Sequence, residues 1–76
     1  MGKITEVILE EGYSVTVRFD DKPPVTVDMG KKLHTARFSE LRDRLMFSEV
    51  KTDGKTVYWP GGISITISEI MEIVSK

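Results

Sequence analysis

The sequence contains no cysteine. Disulfides, zinc–thiolate sites, thiol nucleophiles and redox switching are therefore excluded. It contains one histidine, His34, which excludes a multi-histidine metal site within one chain. Apolar runs are short. Val7-Ile8-Leu9 reaches three residues, against the roughly 18 that a membrane span requires. Neither sign of charge dominates: 11 Lys+Arg face 12 Asp+Glu, for a formal net charge of -1. The chain as a whole is thus not drawn to nucleic acid or to an anionic membrane. No secretory leader is expected, because Met1-Gly2-Lys3 leads directly into an alternating, acidic segment. There is no repeat, low-complexity tract or linker. The lack of cysteine fits a reducing compartment, and a cytoplasmic location is the expectation. No cofactor is expected.

What is present points to one small α+β domain over residues 1–76. Seventy-six residues suffice for a single domain only. Apolar residues make up 39% of the chain, charge is balanced and β-branched residues are frequent, which argues against disorder. A core of this size supplies only ~3–5 kcal/mol, with no covalent staple to add to it.

The periodicity defines the elements. From Lys3 to Glu11 both faces carry apolar residues, which reads as a strand buried on more than one side or one containing a bulge. Glu11-Gly12 signals a turn. From Tyr13 the alternation is clean, with Tyr13, Val15, Val17 and Phe19 on one face and Ser14, Thr16, Arg18 and Asp20 on the other. Asp20-Asp21-Lys22-Pro23-Pro24 breaks this strand, since neither proline can donate to a ladder. Val25, Val27 and Met29 then alternate as a third strand and complete a meander. After Gly30 the period changes. Phe38, Leu41 and Leu45 fall at i, i+3 and i+7, one stripe of a helix, with a kink expected near Arg44-Leu45. Met46, Phe47 and Val50 continue an apolar face. Asp53-Gly54 predicts a two-residue hairpin between Val50, Thr52 and Val57, Trp59. Trp59-Pro60-Gly61-Gly62 suits a type II turn. Ile63 and Ile65 form a short extended piece. Thr66-Ile67-Ser68-Glu69 matches a capping box, and Ile70, Met71, Ile73 and Val74 are the expected buried stripe of a final helix ending at Lys76, whose charge suits a helix C-terminus. The fold class is α+β: a three-strand antiparallel meander, one or two middle helices, a β-hairpin and a C-terminal helix packed on the sheet.

Several of these residues carry a family likeness. Val15, Val17 and Phe19 match an "L-x-V-x-F" strand. Phe38, Leu41, Arg42, Asp43, Phe47 and Val50 match "F-x-x-L-R-D-P-x-x-F-x-x-V", and Val57, Trp59, Pro60 and Gly62 match "G-x-x-V-x-W-P-N-G-x-D". Over roughly residues 4–75 the chain resembles the bacterial domain-of-unknown-function family 2442. It departs at Arg44, where proline is usual, at Gly61, where asparagine is usual, and at Ser64, where aspartate is usual. The resemblance implies an α+β fold and brings no activity, cofactor or catalytic residue. It implies an interaction module, since some members are joined to a helix-turn-helix domain or encoded beside a second small protein. These 76 residues leave no room for a helix-turn-helix of their own.

The remaining candidates lack the partners that chemistry would need. His34 would need an orienting carboxylate and a nucleophile, and no motif links it to Asp28 or Glu40, so it reads as a solvated loop histidine. Glu10-Glu11 and Asp20-Asp21 read as solubilising charge rather than a glycosidase pair. Trp59 shares a strand face with Val57 and reads as core, with a recognition loop as the other reading. The Gly61-Gly62 pair lacks the context of a phosphate loop. Charge is unevenly spread. Residues 1–28 hold three basic against six acidic residues, while residues 31–44 hold Lys31, Lys32, Arg37, Arg42 and Arg44 against Glu40 and Asp43. The basic segment is either a partner contact or a solvated helix face with a Glu40–Arg44 pair.

The function expected is that of a non-enzymatic protein-interaction module. It contacts another protein, or a second copy, through a sheet edge or the 29–44 segment. The alternative is a nucleic-acid-associated regulatory accessory using Lys31, Lys32, Arg37, Arg42 and Arg44. Its five charges interrupted by two carboxylates fall short of a nucleic-acid footprint.

Overall fold

Strict alternation over Ser14–Phe19 makes β2 the centre of the first sheet. The computed structural model describes residues 2–75. In it β1 (Ile4–Leu9), β2 (Ser14–Phe19) and β3 (Val25–Asp28) form an antiparallel meander in that order. Val15, Val17 and Phe19 are buried, as are Ile4, Val27 and Met29 beside them. The expected irregularity of β1 is a bulge between Ile4 and Glu6, where the register against β2 shifts. It sets Ile4, Val7 and Leu9 opposite Phe19, Val17 and Val15, on the inner face, and leaves Ile8 opposite Thr16 on the outer one.

The middle of the chain departs from one continuous helical stripe. A short 3-10 turn at Lys32–His34 precedes a 3-10 helix at Ala36–Arg42. Phe38 and Leu41 are buried, since residues three apart eclipse in 3-10 geometry. Leu45 is 79% exposed, contrary to the expected stripe. The reason is Asp43. Its backbone turns extended (φ -74, ψ 114) and its carboxylate accepts from the Leu45 N–H at 3.0 Å. This starts α1 (Arg44–Phe47) in a new phase, which buries Phe47 and turns Leu45 outward. The break falls one residue before the expected kink.

The Asp53-Gly54 hairpin grows into a second meander, β4 (Lys51–Thr52), β5 (Thr56–Trp59) and β6 (Ile63–Thr66). Its two turn residues are Gly54 and Lys55 rather than Asp53 and Gly54, because Thr52 pairs with Val57. The Asp53 carboxylate accepts from the Lys55 and Thr56 N–H groups at 2.9 and 2.8 Å, and Gly54 takes φ 97. In the following turn both Gly61 and Gly62 take positive φ, 89 and 81.

The capping box forms as expected. Thr66 accepts from the Glu69 N–H and Glu69 accepts from the Thr66 N–H, both at 3.2 Å, which opens α2 (Ile67–Val74). Ile70 is buried and Met71 and Ile73 are partly buried. Val74 is 39% exposed, so the buried stripe stops before it. The expected role of Lys76 lies outside the described residues. Val15, Val17, Val27 and Met29 of the first sheet meet Val57, Trp59 and Ile65 of the second, with Ile70 of α2 closing the core. Ile4 N–H donates to the Gly54 carbonyl at 2.8 Å and ties the two sheets together. No helix among the described residues is long and apolar enough to cross a membrane.

Candidate functional site

The five basic residues of the middle segment occupy three different settings. Lys31 and Lys32 flank the 3-10 turn after β3. With Thr26, Asp28, Glu72 and Ile73 they line an open groove of about 580 Å³ between β3 and α2. Both lysines are exposed. Arg37 is held. Its Nη1 and Nη2 donate to Glu69 Oε2 and Oε1 at 2.6 and 3.0 Å, and Nη2 also donates to the Ser64 carbonyl at 2.6 Å. The paired guanidinium holds the Glu69 carboxyl down, from its ordinary 4.5 to about 2. Arg42 and Arg44 sit beside Tyr13. The Tyr13 hydroxyl donates to the Arg42 carbonyl, and the Arg44 guanidinium lies 5.2 Å from the Tyr13 ring centre. The expected Glu40–Arg44 pair does not form among the described residues, because the break at Asp43 takes Arg44 out of the helix that carries Glu40.

The His34 side chain is exposed and its ring makes no hydrogen bond to another described residue. Among the described residues no group of three or more His, Cys, Asp or Glu is placed to hold a metal ion.

The sheet edges differ in how they are protected. β3 is four residues long, follows Pro23-Pro24 and packs beside α2. β4 has two residues, and β6 runs without interruption into α2. β1 is the longest edge strand and has neither proline nor lysine within it; β4 packs beside it and the Ile4 N–H is bonded to the Gly54 carbonyl, so the unpaired part of its edge is at Val7 and Leu9. Its hydrogen-bonding parity follows from the turn end. Glu10 N–H donates to the Ser14 carbonyl, and antiparallel pairs alternate. Ile8 and Glu6 therefore bond to β2, while the N–H and C=O groups of Val7 and Leu9 point away from it. The other side of β2 agrees: Met29 N–H donates to Tyr13, so Val15 and Val17 bond to β3. No backbone partner meets the Val7 or Leu9 N–H among the described residues. Leu9 is 38% exposed, and Val7 and Ile8 are half-buried.

Sequence reasoning named a sheet edge without choosing one. The signal that selects β1 was present in the run Val7-Ile8-Leu9, the apolar triplet between Glu6 and Glu10-Glu11. Only the strand order shows that this run lies on an edge.

A family model described as "Protein of unknown function (DUF2442)" matches residues 4–75 of the chain. No curated protein and no solved structure gives a significant match.

Proposed function

We propose that this chain, which belongs to the DUF2442 family of proteins of unknown function, is a cytoplasmic, non-enzymatic module that binds another protein through the open edge of β1. The observation that carries this reading is the pair of outward N–H and C=O groups at Val7 and Leu9, beyond the start of the strand where Ile4 is bonded to Gly54. An unpaired edge is a template for a further strand. Beyond this edge the basic segment spreads its charge over separate settings. Lys31, Lys32, Arg42 and Arg44 are exposed there, while the charge of Arg37 is matched by Glu69. Such a split of charge orients an encounter more than it adds affinity.

Position-specific photo-cross-linking in living cells tests the reading. A photoreactive side chain replaces, one at a time, each exposed large apolar residue: Leu9, Leu45, Tyr58 and Val74. A discrete protein adduct from Leu9, absent from Tyr58 on the second sheet, is the expected result. Adducts from other positions without one from Leu9 would move the contact off β1. No adduct from any of the four, or substrate turnover by the pure chain, would overturn the module itself.

A further inference from the structure

We infer that the occupant of the β1 edge is an extended segment of another protein in which three apolar residues stand between two basic ones. The inference rests on the interaction reading above and adds the chemistry of the partner. The inner face of β1 presents Val7 and Leu9, opposite the buried Val17 and Val15. A strand added antiparallel at this edge sets its own side chains directly opposite these residues. Its positions facing Val7 and Leu9 therefore continue the apolar inner face, and the one between them faces Ile8. The next positions outward face Glu6 and Glu10, both exposed. Glu6 has one distant ion pair, 3.8 Å from Arg18, and Glu10 accepts from the Thr16 hydroxyl. Each carboxylate keeps lone pairs free for a cation. Lys or Arg at both flanking positions matches them.

The same geometry argues against a second copy as the occupant. The register that joins all the outward groups of both chains bonds Val7 and Leu9 of one copy to Leu9 and Val7 of the other. That register sets Glu6 opposite Glu10 twice, and like charges directly opposite are destabilising.

The probes are two capped peptides with Gly-Ser flanks, one with the central sequence Lys-Val-Ile-Val-Lys and one with Glu-Val-Ile-Val-Glu, titrated into the full chain and followed by backbone amide shifts. The lysine peptide is expected to move the Val7 and Leu9 amides and to bind about tenfold tighter at low salt, a gap that closes as salt is added. The double variant Glu6→Lys/Glu10→Lys should reverse the preference. Leu9→Pro removes an outward N–H and no bond to β2, so it should stay folded and lose the lysine peptide; Leu9→Val should keep it. Equal affinity of the two peptides, shifts centred elsewhere, or dimerisation of the free chain in sedimentation would each overturn the inference. Failure of both peptides, with Leu9 still cross-linking in cells, would overturn the partner chemistry and leave the docking edge standing. Failure of both together with loss of that cross-link would remove the interaction reading too.

Discussion

The indole N–H of Trp59 donates to the main-chain carbonyl of Phe47 at 3.0 Å, and the two rings stack with centroids 5.8 Å apart at 27°. Twelve residues separate them in sequence. Phe47 also receives the edge of Tyr13 at 5.3 Å, so α1, the second sheet and the start of β2 meet at one ring. Trp59 is 1% exposed and acts as a core residue whose polar edge is satisfied. Its Pro-Gly-Gly neighbours form the exposed turn.

Truncating this contact should remove the fold. Phe47→Ala is expected to cost about 3–5 kcal/mol, comparable with the ~3–5 kcal/mol available to a domain of this size. Trp59→Phe keeps most of the volume but leaves the Phe47 carbonyl without its donor, at a cost of about 1–3 kcal/mol. Urea denaturation of the two variants should rank them in that order. A Phe47→Ala chain with an unchanged midpoint would contradict the burial.

Leu45 and Leu41 test the phase change at Asp43. Leu45→Lys should stay within about 0.5 kcal/mol of the parent, because the side chain is 79% exposed. Leu41→Ala should cost about 2–5 kcal/mol, because that side chain is fully buried. Equal losses at both sites in thermal melts would restore the continuous stripe.

Arg44 occupies the first position of α1. Proline is favoured at a first helical position, and Asp43 before it already has the extended backbone that a following proline demands. Arg44→Pro should therefore keep the fold. The gain of about 0.4–1 kcal/mol from a stiffer unfolded chain offsets the lost stacking on Tyr13, worth about 0.5–1 kcal/mol. Leu45→Pro removes the N–H that Asp43 accepts and should be clearly destabilised. Melting midpoints of the two proline variants decide this.

Acid should weaken the clamp on α2. The hydrogen bonds from Arg37 hold Glu69 at about 2, below its ordinary 4.5. A folded-state value below the unfolded one means that ionised Glu69 stabilises the fold above about pH 4.5, and that this contribution is lost as pH falls toward 2. The two side chains are 50% and 34% exposed, so solvent screening limits the pair to about 1 kcal/mol at most. Asp53, lowered by the N–H groups of Lys55 and Thr56, acts in the same direction. Glu69→Gln should flatten the stability profile between pH 4.5 and 2 without abolishing it. An unchanged acid limb in that variant would show that Glu69 does not contribute.

Sequence by itself determined what neighbours along the chain can settle. The alternation of Tyr13 to Phe19, the breaks at Pro23-Pro24 and Gly61-Gly62 and the capping box at Thr66 and Glu69 depend on residues at most a few positions apart, and each forms where its chemistry places it. Tertiary structure decided the rest, because the competing outcomes differ only in distant partners. Leu45 and Phe47 are both apolar, and which is buried depends on the reset of helical phase at Asp43. Arg37 was one of five similar cations until Glu69 and the Ser64 carbonyl, 32 and 27 residues onward, were brought beside it. Ile63 and Ile65 become a third strand only because β5 lies alongside them. The run Val7-Ile8-Leu9 looks the same in a central strand as in an edge strand. The Val7 and Leu9 backbone groups are free because sheet order leaves no strand hydrogen-bonded to them on that side of β1, and no local periodicity encodes that order.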